Sequence, residues 1–280
     1  ILGVPGAFAT RIAYVAVDGR PPRQTYRLIV ADADGEGART VSESPLPLMS
    51  PAWSPDGEWL AYVSFESHSS AIWLQRVRTG ERRRLLARPG INGSPAFEPT
   101  RGDRLAVTLS TVGGNLDIYL VALADGALTR VTSDPAIDTE AVFSPDGRSL
   151  YFTSDRAGSP QIYRAEALAN APAKRMTFTG SYNARPRLSP DGKQLAMVTL
   201  AGGSYRVAVQ DLATGVVRQL TKGPLDESPS FAPNGAMLIY AGRDRGQGVL
   251  ATVAIDGLTT QRLKADEGEV REPVWGPRRP

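Results

Sequence analysis

Glu140-Ala141-Val142-Phe143-Ser144-Pro145-Asp146-Gly147 runs an apolar segment straight into a proline turn. Proline presets the first turn position, Asp bonds back to the local backbone, and Gly accepts the positive φ that closes a hairpin. The stretch therefore reads as the end of one strand and the corner leading to the next. Related punctuation stands at Ser54-Pro55-Asp56-Gly57, Glu98-Pro99, Ser189-Pro190-Asp191-Gly192, Ala232-Pro233-Asn234-Gly235 and Gly276-Pro277, so that six prolines recur every 43–46 residues. A strand-rich repeat of that length is the signature of a β-propeller with four strands to a blade.

Working outward, Leu150–Ser154, Gln161–Ala165 and Lys174–Thr177 complete the blade that the quoted stretch begins. The two ends of the chain complete each other. Arg11–Val17, Tyr26–Ala33 and Thr40–Ser42 precede the first turn as three strands without an innermost one, and Glu272–Trp275 arrives last as an innermost strand without the other three. The predicted fold is all-β: a six-bladed propeller of four antiparallel strands per blade, its sixth blade closed 3+1 by both termini so that no sheet edge is left open. It fills residues 10–280 as one domain, behind a junction segment at residues 1–9.

Composition agrees with a single all-β domain of 280 residues whose 28 Gly and 22 Pro serve frequent turns. No run of 18 apolar residues exists, so no membrane insertion is expected. With 32 basic and 29 acidic residues the net charge of +3 is too balanced to point to nucleic acid or an anionic membrane. Arg82-Arg83-Arg84 falls on an outermost strand, where charge discourages edge-to-edge pairing. The chain opens Ile1-Leu2-Gly3, without an initiator Met or a signal peptide, and reads as a processed or truncated piece.

Catalytic chemistry finds little to work with. The absence of cysteine removes disulfides and thiolate metal sites, and His68 is the single histidine, in a loop. There is no Gly-x-Ser-x-Gly elbow for a serine hydrolase. Gly246-Gln247-Gly248-Val249-Leu250-Ala251 imitates a dinucleotide fingerprint but opens no helix. Asp32-Ala33-Asp34-Gly35 lacks the distal ligands of a calcium loop, and Arg101-Gly102-Asp103 occupies a blade turn.

Geometry directs attention instead to one face. In an up-and-down blade the proline turns and the third-to-fourth turns lie on one side. The loops leading into each innermost strand crowd the channel mouth on the other, where irregular loops on a rigid scaffold bind ligands. Those loops span 48–51, 91–95, 137–140, 182–186, 225–229 and 269–273. They hold Asp138, Glu140, Asp226, Glu227, Glu269 and Glu272 against Arg185 and Arg271, an acidic rim that would focus its field at the mouth or hold a weakly bound divalent cation. The plainer reading is that such carboxylates cap backbone amides.

Several runs resemble TolB proteins. They are Gly6-Ala7-Phe8-Ala9-Thr10-Arg11-Ile12-Ala13-Tyr14-Val15, Pro47-Leu48-Met49-Ser50-Pro51-Ala52-Trp53, Gly158-Ser159-Pro160-Gln161-Ile162-Tyr163 and Leu225-Asp226-Glu227-Ser228-Pro229. The resemblance covers nearly the whole chain. It implies a periplasmic part of the Tol–Pal envelope system, which supports outer-membrane integrity and constriction during cell division. Its propeller binds the lipoprotein Pal and is exploited by colicin translocation peptides that imitate Pal. The family carries an α/β domain ahead of the propeller that signals to TolA; without that domain, the TolA contact is expected to be lost. Carried over residue by residue, the partner-binding positions are Met49, Ser50, Pro51, Ile91, Asn92, Ser94, Thr139 and Glu140. Arg185, Glu227 and Arg271 join them from the same loops. Ile91 departs from a histidine of the family, exchanging a hydrogen bond for apolar contact.

The expectation is a non-enzymatic, monomeric interaction module without a cofactor. Two rival classes remain: a gating propeller of a peptidase such as the prolyl oligopeptidases, which needs a hydrolase domain, and a propeller that binds a small ligand or cation.

Overall fold

In the computed structural model, which describes residues 9–110, 114–265 and 268–278, 24 strands form six four-stranded antiparallel sheets arranged in a ring. The junction expected at residues 1–9 lies, except for residue 9, outside the described residues. Blades 1 to 5 begin with the innermost strands Leu48–Trp53, Asn92–Phe97, Asp138–Phe143, Asn183–Leu188 and Glu227–Phe231. Blade 6 orders Glu269–Arg278, Thr10–Arg20, Arg23–Asp32 and Arg39–Ser44, which is the 3+1 closure read from the chain ends.

Local chemistry explains each corner. Ser54, Ser144 and Ser189 donate their hydroxyls to Asp56, Asp146 and Asp191 at 2.5–2.6 Å, and each Asp accepts an amide two residues on. Those bonds hold the carboxyls of Asp146 and Asp191 below their ordinary pKa. In blade 2 the role passes to Glu98, which is almost fully buried. It accepts the amides of Thr100, Arg101 and Gly102 and the Thr100 hydroxyl. Gly147, at φ +70°, shows why the turn needs glycine: a Cβ there would meet the Glu98 carboxylate at 1.9 Å.

Two boundaries differ from expectation. The strand expected at Lys174–Thr177 ends at Arg175, because Thr177 turns inward. Its hydroxyl accepts the Ile162 amide and donates to Gln161, with Thr132 and Thr221 accepting the equivalent amides in the neighbouring blades. The innermost strands, conversely, begin earlier than their apolar runs suggest, and residues read as mouth loops are their first turns of extended chain.

The core lies between blades. Ile118 and Leu120 of blade 2 pack on Phe143, Leu150 and Phe152 of blade 3, and Val15, Leu28 and Val30 of blade 6 pack on Leu48, Trp53 and Tyr62 of blade 1. Each sheet thus has two buried faces, which is why its inner strands read as continuous apolar runs rather than alternating ones. Arg82-Arg83-Arg84 lies on the outermost strand Arg82–Leu86, with Arg82 stacked 4.2 Å from Trp73 and paired with Glu66 at 2.7 Å.

Candidate functional site: the channel mouth

Every innermost strand is bulged near its start. Ser50 and Pro51 stand opposite Tyr62 alone, Ser94 and Pro95 opposite Val107, and Glu140 and Ala141 opposite Phe152. The same two-against-one pairing sets Arg185 and Pro186 against Met197, Ser228 and Pro229 against Tyr240, and Glu272 and Pro273 against Tyr14. A bulge tolerates proline because the extra residue leaves the ladder. Its first residue takes positive φ in all six blades, 47–58°, a conformation that usually selects glycine. Here the six are Ser50, Ser94, Glu140, Arg185, Ser228 and Glu272. All six line a central channel of about 340 Å³ that continues past Trp53, Phe97, Phe143 and Trp275 to Pro55, Pro99 and Pro277.

Arg185 organises this ring. Its guanidinium lies 3.2 Å from Glu140 and 3.7 Å from Glu272 and donates to the Ser228 hydroxyl. Burial alone would push its pKa down, but Glu140, Glu272 and Glu227 outweigh that and hold it above the ordinary value. Glu140 also accepts the Arg185 amide at 3.1 Å and the Thr153 hydroxyl at 3.0 Å, while Glu272 accepts the Ser50 amide.

This arrangement corrects the acidic rim. Asp138 is fully buried and bound by Arg156 through both oxygens, and Asp226 is turned inward onto the Gly223 amide. Glu269 pairs with Arg243 and Arg271 at 2.9 and 3.0 Å. Among the described residues Glu227 is the rim carboxylate left with neither an ion pair nor a side-chain hydrogen bond. Most of the others do cap amides or neutralise arginines, so the mouth does not present a concentrated negative field. The position suggested for a divalent cation is taken by a guanidinium, and the described residues include no cluster of three or more potential metal ligands.

Of the residues singled out in the sequence, Ser50, Ser94, Glu140 and Arg185 enter the channel ring. Met49 and Ile91 are exposed around it, Arg271 is exposed, and Thr139 and Glu227 are half-buried. Pro51 and Asn92 are buried. The Asn92 amide bonds the carbonyls of Ser70, Arg88 and Gly90 and accepts the Arg88 amide, so it holds its own loop in place. Asn183 does the same in blade 4, through Thr179 and Gln161.

Sequence reasoning placed Glu272 on the rim but did not single out Ser228 as a member of the ring. The available signal was an X-Pro pair at one repeat position in five blades: Ser50-Pro51, Ser94-Pro95, Arg185-Pro186, Ser228-Pro229 and Glu272-Pro273. It also missed Arg187, the first residue after the bulge, which lines the channel together with Arg185. Exposed apolar side chains gather on the same face. Met49, Ile91, Ile137, Phe178, Leu200 and Tyr205 lie at loop ends of the mouth face over blades 1 to 4, with Tyr182 edge-on to Tyr205 at 5.2 Å. Leu168, Val216 and Leu258 stand singly on separate turns of the opposite face. His68 is exposed in a hairpin loop.

A profile of the TolB beta propeller domain matches residues 1–279. The chain is 50% identical over 281 residues to the Tol-Pal system protein TolB of Xanthomonas oryzae pv. oryzae, covering all of this chain and 63% of that protein. It is 47% identical over 278 residues to the Tol-Pal system protein TolB of Bordetella pertussis, of which it covers 62%. The crystal structure of TolB from Acinetobacter baumannii superimposes with a TM-score of 0.92 at 47% identity, over 99% of this chain and 69% of that one. The chain therefore spans somewhat less than two thirds of the curated relatives it matches.

Proposed function

The chain belongs to the TolB β-propeller family, and on that premise we propose that it is a non-enzymatic interaction module of the periplasmic Tol–Pal system that binds the lipoprotein Pal over its channel mouth. Colicin translocation peptides that imitate Pal would engage the same face. Through Pal the propeller would support outer-membrane integrity and constriction at division. No contact with TolA is assigned to this propeller.

The observation that carries the reading is the coincidence of two features on one face. Exposed apolar side chains, Met49, Ile91, Ile137, Phe178 and Tyr205, stand on the face that also carries a polar ring of six residues held at positive φ. Apolar anchors beside a polar, hydrogen-bonding centre are the anatomy of a specific protein interface. Side chains kept in a strained backbone conformation at six equivalent positions point to a demand other than folding.

Calorimetry with purified Pal tests this. Thr139→Arg and Ile91→Asp are expected to weaken binding by about 1–3 kcal/mol, or roughly 5- to 150-fold, by leaving an interfacial group unpaired or burying a charge. Asp125→Arg and Asp256→Arg, in turns of the opposite face, should leave affinity unchanged. Equal weakening from both faces would remove the site from the mouth. Because the rim charges are largely paired within the chain, association should depend only weakly on salt.

A further inference from the structure

The proline corners follow one pattern except in blade 2. Between the paired positions that end the first strand and begin the second lie residues 54–59, 144–149, 189–194 and 232–237 in blades 1, 3, 4 and 5, but 98–104 in blade 2, one residue longer. The extra length sets Thr100-Arg101 where those other corners have a single Asp or Asn between Pro and Gly. Beside this longer corner a hollow of about 630 Å³ opens between blades 1 and 2, on the face away from the mouth.

Trp59, Leu74, Phe97 and Leu123 form its apolar wall, and Arg76 lies 5.2 Å from the Trp59 ring. Arg83 reaches across from the outermost strand of blade 1 and donates to the Leu123 carbonyl of blade 2 at 3.0 Å. That bond engages only part of its donor set, and among the described residues no carboxylate stands at ion-pair distance from Arg83. Arg101 lines the same hollow, with Nε 3.3 Å from Asp103. Asp56 supplies an acceptor. One of its oxygens takes the Ser54 hydroxyl and the Glu58 amide, and the other has no hydrogen bond among the described residues.

We infer that this hollow is a binding site for a neutral saccharide unit. Guanidinium groups only donate and a carboxylate only accepts, so a ligand that uses both must accept and donate, as a sugar hydroxyl does. The aromatic and aliphatic wall matches the C–H face of a pyranose ring. Charge argues the same way. Arg83, Arg101, Asp56 and Asp103 cancel, as do Arg76 and Glu58, paired at 2.9 Å, so an ion would find no net field to offset its desolvation. The volume falls within the roughly 300–1,000 Å³ of small-molecule sites, whose walls are mostly apolar with a few placed polar groups. The hollow and the mouth lie on opposite faces, and the inference does not rest on the Pal reading. Two sources supply this chemistry: a free sugar, or one unit of a glycan chain.

Saturation-transfer NMR of N,N′-diacetylchitobiose, a neutral disaccharide, with the whole chain tests the first source, and co-sedimentation with chitin tests the second. Wild type is expected to transfer saturation to the ring C–H protons. Arg83→Met and Arg101→Ala change exposed side chains and should leave the melting temperature unchanged. Each should raise Kd about fivefold or more by removing a charged donor. Trp59→Leu should abolish the transfer, and the arginine variants decide if it fails to fold. Arg218→Met, at the matching outer-strand position of blade 4, should change nothing. Phosphate and citrate at matched ionic strength should not displace the sugar; displacement by either would make the hollow an anion site and overturn the inference. Binding of the disaccharide without retention on chitin identifies a free sugar, and retention on chitin that both arginine variants weaken identifies a glycan unit. No binding in either arm, or binding that neither arginine variant alters, would overturn the inference.

Discussion

At the scale of single residues, Glu98 shows how one buried carboxylate holds a corner that serine and aspartate share in the blades carrying Ser-Pro-Asp-Gly. Burial pushes its pKa up, but the bonds from Thr100, Arg101 and Gly102 outweigh that and hold it below its ordinary value of 4.5. A depressed folded pKa contributes stability that is fully present above the unfolded value and is lost as pH falls through the folded one. Glu98→Gln is therefore expected to cost about 1–3 kcal/mol at neutral pH. Thermal melts should show a constant gap between wild type and variant down to roughly pH 5, then a narrowing gap below it. A gap that widens in acid would contradict the assignment. His68 marks the opposite case, an exposed side chain in a hairpin loop with no ion pair among the described residues. No turnover of peptide, ester or phosphoester substrates is expected; an activity that follows the protein through successive columns and disappears in His68→Ala would reverse that reading.

At the scale of the element, the innermost strand carries both the fold and the candidate site, and the sequence reveals the two unequally. The half after the bulge, such as Ala141-Val142-Phe143, is apolar and ends at a proline turn, so its strand character is plain. The half before it, such as Asp138-Thr139-Glu140, is polar, and in the other five blades a proline follows the positive-φ residue. Those are loop signals in local terms. Only the ring, which presses each bulge against its neighbours, makes them strand. For the same reason the candidate site was legible as a face but not as a charge pattern. Carboxylates counted along the sequence gave an acidic rim, while their partners, Arg156 for Asp138 and Arg185 for Glu140 and Glu272, are fixed by tertiary structure. The buried amides at the strand starts are testable at this scale. Asn183→Ala removes bonds to the Thr179 carbonyl and to Gln161, both at 2.9 Å, and leaves the buried Gln161 oxygen with the Thr177 hydroxyl as its remaining donor. A loss of about 0.5–1.5 kcal/mol is expected for each bond. Hydrogen exchange should quicken at residues 179–185 while distant blades keep their protection. Unchanged exchange in that segment would show that the amide does not hold the loop.

At the scale of the whole molecule, stability depends on closure, because each core lies between two blades and a ring with one incomplete blade exposes faces on both sides of the gap. The last strand, Glu269–Arg278, is held by more than its ladder to Thr10–Arg20. Trp275 is buried in the cluster shared by blades 5 and 6, its indole donates to the Thr10 hydroxyl at 2.8 Å, and its amide donates to Ser230 of blade 5 at 2.9 Å. Val274 packs toward blade 1 from the same strand. The strand thus joins three blades, and its removal should cost more than the loss of one sheet edge. Trp275→Ala is expected to destabilise by about 3–5 kcal/mol, a large share of the roughly 5–15 kcal/mol that holds a typical domain folded. Deleting residues 272–280 should go further, because it also removes Glu272 from the channel and opens the edge of the first strand over residues 10–14 to pairing with another chain. The two variants separate packing from closure. Trp275→Ala should melt cooperatively at a lower temperature and remain monomeric in light scattering, whereas the deletion should aggregate as it warms. A deletion variant that melts like the wild type and stays monomeric would show that blade 6 does not need the strand that completes it.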